Sequence, residues 1–128
     1  MTILLDTHAF LWWVDASPRL STRARAAIAE PRNEVLFSLV SCWELAIKIS
    51  TGKLKLKTPL ERFVPDQLVA NGFRLAGLEL RHVAPIAALT FHHRDPFDRL
   101  LATQALEENW TIVSHDRIFR RYGVARIW

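Results

Sequence analysis

A single cysteine, Cys42, is present among 128 residues. That count excludes an intrachain disulfide framework and a cysteine-based zinc site, and it fits a reducing cytosol. Glycine is also scarce, at four residues, and proline numbers six. No Gly/Ser-rich or Pro-rich stretch offers a linker, and there is no low-complexity tract or internal repeat. No apolar run approaches the roughly 18 residues of a membrane helix. The opening stretch, MTILLDTHAF, meets an acid at position 6 without a basic leader. These absences lead us to expect one unit spanning residues 1–128, cytoplasmic and not membrane-bound.

What is present is apolar. Half of the residues are hydrophobic, enough to build a core and to make disorder a poor description. Lys and Arg total 17 against 13 Asp and Glu, a formal charge of +4. This balance invites an anionic partner, nucleic acid first, although a solvated basic surface would give the same total. Arg117, Arg120, Arg121 and Arg126 crowd the C-terminal end.

The pattern of elements is more informative. TILLD reads as a strand ending in an acid, and THAFLWWV as a helix packed on a sheet. Ser21 to Glu30 reads as a second helix and VLFSLV as a second strand. SCWELAIKIS reads as a helix capped by Ser41 and stopped by Gly52, and the alternating KLKLK as a short extended edge. A helix from Pro59 to Asn71 is expected to break at Pro65, with a short strand between Gly72 and Leu80. HVAPIAALTF suggests another short helix. Asp95 and Pro96 then open a longer one, WTIVSHD is a strand, RIFRRYG a helix closed by Gly123, and VARIW a final strand or tail. Strands alternating with helices predict a three-layer α/β/α sandwich with a mostly parallel central sheet.

Ligands of open α/β sheets gather outside the carboxyl ends of the strands. Four acids fall at such positions: Asp6 after the first strand, Glu44 in the first turn of the helix after the second, Asp98 at the start of a late helix, and Asp116 at the end of TIVSHD. Each alone has a sufficient bland explanation. Ser41 and Glu44 have capping-box spacing, Lys48 lies one turn beyond Glu44, Asp98 sits in the first turn after the Asp95 cap, and Asp6 and Asp116 could each fix a turn. Together they point elsewhere, because carboxylates gathered at one end of a sheet repel unless a cation joins them. Oxygen-only ligands suit Mg²⁺ or Mn²⁺, and phosphodiester hydrolysis is the chemistry such a site serves.

LLDTHAFLWW, SCWELAIKISTGKL, HHRDPFDRLLATQA and IVSHD, in this order and at these separations, resemble the PIN-domain ribonucleases, specifically the VapC-type toxins of bacterial type II toxin-antitoxin modules. The resemblance spans nearly the whole chain. It implies a parallel-sheet sandwich and a Mg²⁺ or Mn²⁺ site formed by Asp6, Glu44, Asp98 and Asp116. Asp95 would then be the cap, and Ser114 fits the Thr or Ser that often precedes the last acid by two residues. It further implies an endoribonuclease that hydrolyses RNA by a metal-activated water, leaving a 5′-phosphate and a 3′-hydroxyl. A cognate small antitoxin is the implied partner, and a homodimer a further one.

Other residues keep open readings. His8, His92, His93 and His115 sit beside the acids, but they lack the spacing of a compact helical pair, and His93 and Arg94 default to solvated loop positions. Thr7 serves equally as a water holder or as the cap of the first helix. Lys53, Lys55 and Lys57 could draw in an RNA backbone or protect a sheet edge. Trp12, Trp13 and Trp43 read as core or interface residues before base-stacking ones. A haloacid-dehalogenase-like phosphatase is disfavoured, because the position two after Asp6 is His8 and not an acid. A catalytically silent RNA-binding or protein-interaction module on the same fold is the rival from another class.

Overall fold

The computed structural model describes residues 1–128. Its five strands are β1 (Thr2–Leu5), β2 (Glu34–Ser38), β3 (Arg74–Ala76), β4 (Thr111–Val113) and β5 (Arg126–Ile127). They form one sheet in the order β3-β2-β1-β4-β5, and every pairing is parallel. The connecting helices are α1 (Thr7–Val14), α2 (Thr22–Ala29), α3 (Leu39–Ser50), α4 (Leu60–Asn71), α5 (Leu80–Val83), α6 (Pro96–Glu108) and α7 (Ile118–Arg121). A 3₁₀ turn, Ala84–Ala88, continues α5.

Side chains alternate across a strand, so an apolar strand buried on both faces builds two cores at once. In β1, Ile3 and Leu5 join Val35, Phe37 and Val113 in a core closed by α1, α2, α3 and α4. Leu4 faces the other way, with Leu36 and Ile112, into a core closed by α6 and α7. The expected three layers follow. The strand order reverses direction between β1 and β4, and this switch point is where α/β sheets open a crevice beyond the strand ends.

Local chemistry moves several boundaries from their expected places. The helix cap after β2 is Ser38 and not Ser41: the Ser38 hydroxyl accepts from the Val40 N–H at 3.1 Å. Leu39 and Val40 are therefore the first residues of α3, although their apolar character suggested strand. Ser41 is a fully buried residue inside the helix, Glu44 lies in the second turn, and the capping box does not form. Segment 53–57 is not a strand. Leu54 and Leu56 turn inward and the lysines outward, as the alternation implies, but no strand pairs with them. Helix α4 runs through Pro65 unbroken. Pro65 is exposed, so the carbonyl left without its helical donor can be hydrated, while buried Val64 and Leu68 hold the helix on both sides. Gly123, at φ +84°, closes α7 as expected.

Candidate active site

Asp6 leaves β1 and becomes the N-cap of α1, its Oδ1 accepting from the Ala9 N–H at 2.7 Å. The cap role considered for Thr7 thus belongs to Asp6. The other carboxylate oxygen, Oδ2, accepts from the Ser114 hydroxyl at 2.5 Å, a bond between the ends of β1 and β4. Burial raises the Asp6 pKa above the ordinary carboxylate value, and the bonds from Ser114 and Ala9 only partly offset it.

Thr7 is instead directed at the second acid. Its hydroxyl donates to Glu44 Oε1 at 2.6 Å, and Lys48 Nζ stands 3.1 Å from Glu44 Oε2. The helical ion pair expected from sequence is present, and it holds one oxygen of Glu44 while Thr7 holds the other.

Asp95 caps α6 through bonds from the Phe97 and Asp98 N–H groups at 2.8 and 3.3 Å. Asp98, two residues after the first helical Pro96, has its Oδ2 3.0 Å from His93 Nε2. Burial, and next the charge of Asp95, raise the Asp98 pKa to about 7, against the opposing bond from His93. Asp116 lies three residues beyond β4 and not within it. Its N–H donates to the Ser114 hydroxyl at 3.0 Å, and its Oδ1 accepts from the Ile118 N–H at 2.9 Å. Its Oδ2 turns toward His93 Nε2, 4.0 Å away.

The structure brings all four sequence-predicted acids together. Asp6, Glu44, Asp98 and Asp116 line one cavity of about 260 Å³, joined by Thr7, His8, His93 and Asp95, with no hydrophobic side chain in the wall. His93, Asp98 and Asp116 place ligand atoms within 4.8 Å of one another. An open cleft of about 460 Å³ on the Glu44 side is lined by Lys48, Lys53 and Arg94, so part of the rim is basic.

His93 is the residue that sequence reasoning misplaced. It is not a solvated loop residue but reaches into the acid cavity. Its loop is held at three points: Arg99 donates to the Leu89 carbonyl at 3.2 Å, the Arg99 guanidinium lies 3.9 Å over the Phe91 ring, and the His93 N–H donates to the Tyr122 hydroxyl at 2.9 Å. An arginine directly before the apolar run Leu100–Ala102 was the one sequence signal available, and the structure buries it. Arg126 was also missed; its Nη1 donates to the Ser114 carbonyl at 2.7 Å and fixes the turn that carries Asp116.

The fold and this cavity together define a doubly wound α/β protein with a carboxylate cluster at its switch point. The chain belongs to the PIN-domain family, which it matches over residues 3–125. It is 33% identical over 122 residues to Ribonuclease VapC22 of Mycobacterium tuberculosis, covering 94% of this chain and 92% of the relative. It is 35% identical over 71 residues to Ribonuclease VapC16 of the same organism, about half of either chain. Among solved structures, VapBC2 from Rickettsia felis, bound to a DNA fragment from its promoter, superposes with a TM-score of 0.66 at 18% identity, over 98% of this chain and 97% of that one. FitAcB from Neisseria gonorrhoeae gives a TM-score of 0.65 at 19% identity, over 97% and 95%. At such identities the solved structures share the fold.

Proposed function

We propose that this chain is a metal-dependent endoribonuclease and the toxin of a type II toxin-antitoxin module, working as one unit over residues 1–128 in the cytoplasm. The observation that carries the reading is the cavity at the switch point, where four carboxylates from four segments meet without a hydrophobic neighbour. The identity to a named ribonuclease over most of the chain supports RNA as the substrate.

The donor set fits a hard divalent cation. Five acids line the cavity, Asp95 among them; Lys48 pairs with Glu44 from outside it, His93 faces Asp98, and burial still leaves Asp98 and Asp6 with raised pKa values. A cluster short of positive charge and built of oxygen donors suits Mg²⁺ or Mn²⁺. Asp6, Glu44, Asp98 and Asp116 would hold the ion, which supplies Lewis acidity toward the scissile phosphate and lowers the pKa of the attacking water.

The remaining work belongs to the chain. Ser114 and the Ala9 N–H keep Asp6 in one orientation, and Thr7 and Lys48 do the same for Glu44. The Ser114 oxygen also accepts from the Asp116 N–H, so one hydroxyl sets the spacing of two acids. His93 Nε2 lies 3.0 Å from Asp98 Oδ2 and 4.0 Å from Asp116 Oδ2, so one ring nitrogen faces both acids. The expected products are a 5′-phosphate and a 3′-hydroxyl. Neighbouring structures of VapBC and FitAB type support a small antitoxin partner, and a homodimer is part of the same reading.

Cleavage of RNA by the purified protein with Mg²⁺ or Mn²⁺, against a chelated control, tests the proposal. Asp6→Asn, Glu44→Gln and Asp98→Asn should each cost more than the roughly 10- to 100-fold that follows loss of an outer partner. Activity that survives exhaustive chelation, or in the triple variant, would refute it.

A further inference from the structure

Beside the acid cavity lies an open cleft of about 600 Å³ lined by Asp6, His8, Trp12, His115, Asp116 and Arg117. Three of its walls, Asp6, His8 and Asp116, are also walls of the acid cavity, so the two spaces are contiguous. The rest of the lining is aromatic or cationic. His8 and Trp12 have ring centroids 5.5 Å apart, Trp12 and Trp128 5.8 Å, and Trp128 and His115 5.6 Å, at interplanar angles of 32°, 55° and 79°.

Tilted rings leave part of their π-faces uncovered by one another, and His8 and His115 are exposed side chains. Trp128 neighbours both Trp12 and His115, and Trp12 and Trp128 also pack, partly buried, against the core on the Ile3 and Leu5 face of the sheet. His115 is held from its backbone side as well, because Arg126 Nη1 donates to the Ser114 carbonyl at 2.7 Å and lies 3.4 Å from the His115 carbonyl. Arg117 adds a cation to the lining, and guanidinium planes also stack on bases. None of the acid-site chemistry uses His8, Trp12, His115 or Arg117.

We propose that this cleft is a nucleobase subsite, which seats one unpaired base of a single-stranded RNA next to the scissile phosphate. The inference rests on the ribonuclease reading of the acid cavity and deepens it by assigning where a base of the substrate sits and which side chains hold it. A base next to a phosphate in the acid cavity must lie to one side of it, and this cleft is the adjoining aromatic space. Stacking on Trp12 and His115 needs a base with free faces, which a duplex does not offer. The surface therefore fixes the register of cleavage relative to the seated base.

The test uses the full chain and a single-stranded RNA hexamer, with the same sequence as a duplex for comparison. His115→Ala is the primary variant because the side chain is exposed. Trp12→Leu removes the second stacking face, and Trp12→Phe restores a ring there. Cleavage kinetics are measured with Mg²⁺, and binding is measured separately in chelator at low salt through quenching of tryptophan fluorescence. His115→Ala and Trp12→Leu should raise KM and weaken binding by roughly 5- to 150-fold, the loss of one base–aromatic stack. In both, kcat should change far less, and Trp12→Phe should recover most of the affinity. An unchanged KM and affinity in His115→Ala would overturn the subsite while leaving the nuclease reading intact. Equal losses on duplex and single strand, or lost binding of a partner protein with RNA binding unaltered, would overturn it too. A wild type that binds the hexamer through these rings and cleaves nothing would uphold the subsite and sink the nuclease reading.

Discussion

Replacing Asp98 by asparagine separates the two roles this residue could have, helix-terminus anion or metal ligand. In the metal-free protein the Asp98 carboxyl titrates near pH 7, raised mainly by burial and then by the charge of Asp95. Its ordinary value is near 3.8. Between these two pH values the unfolded chain has released the proton that the folded chain still holds. Stability must therefore fall as pH rises through this window, and it levels off above the folded pKa. At 1.36 kcal/mol per pKa unit the full shift corresponds to about 4 kcal/mol. The side chain keeps 21% of its surface exposed and neighbours relax, so about 2 kcal/mol is the working expectation. The asparagine side chain has no proton to lose and keeps an acceptor for His93.

In chelator, Asp98→Asn should match the wild type near pH 4 and exceed it by about 2 kcal/mol at pH 8. Urea unfolding at several pH values measures this, and the comparison of two otherwise identical chains removes most other titrations. The opposite sign at pH 8, with the variant less stable by about 0.3 to 1 kcal/mol, would show that Asp98 acts as an anion on the helix terminus. A difference that does not vary with pH would refute the buried-acid argument outright.

Saturating Mg²⁺ or Mn²⁺ should raise the melting temperature of the wild type, by about 2.7 kcal/mol of stability at a hundred times Kd, and raise that of Asp98→Asn less; equal shifts in calorimetry would exclude the proposed site. Ser114→Ala leaves the Asp6 Oδ2 without its hydroxyl donor and should cost about 1–3 kcal/mol in denaturant unfolding together with most of the activity, with recovery in Ser114→Thr. Expression of the chain alone should arrest growth, and Asp6→Asn or co-expression of a cognate small antitoxin should relieve it, as read from growth curves and copurification. A harmless wild type that copurifies with nothing would end the toxin assignment.

The sheet was legible because its strands are buried on both faces and read as unbroken apolar runs, TILL and EVLFS among them. The four acids were legible because Asp6 and Asp116 come after strands, Asp98 opens a helix and Glu44 lies early in the helix after β2, positions that parallel topology brings to one edge. Other features depend on contacts that no local pattern encodes. Whether Ser38 or Ser41 caps α3 is decided by where β2 leaves the sheet: Ser38 is still in register with Ala76 and so ends the strand and starts the helix at once. The alternation in 53–57 reports correctly which side faces inward, yet a strand also needs a partner, and β3 already occupies the edge beside β2. The position of His93 depends on Tyr122, 29 residues away, and on a buried arginine that grips its loop.

These long-range contacts divide the cavity into unequal halves. Asp6 and Glu44 are both anchored within the protein's interior by hydroxyl donors, Ser114 and Thr7, whose bonds do not depend on titration. Asp98 and Asp116 share the imidazole of His93, whose loop is held by one hydroxyl and one guanidinium. Under the proposed metal reading, a divalent ion would meet two acids already fixed and, at the other two, the imidazole of His93. The fixed half would set where the ion sits, and the half served by His93 would set how readily it is accepted, because the ion would have to replace the imidazole as the partner of Asp98 and Asp116. Replacing His93 by glutamine keeps a hydrogen-bond donor near Asp98 but removes the imidazole, and it should tighten Mg²⁺ binding in isothermal titration. Weaker binding would mean that the histidine positions Asp98 more than it competes for it.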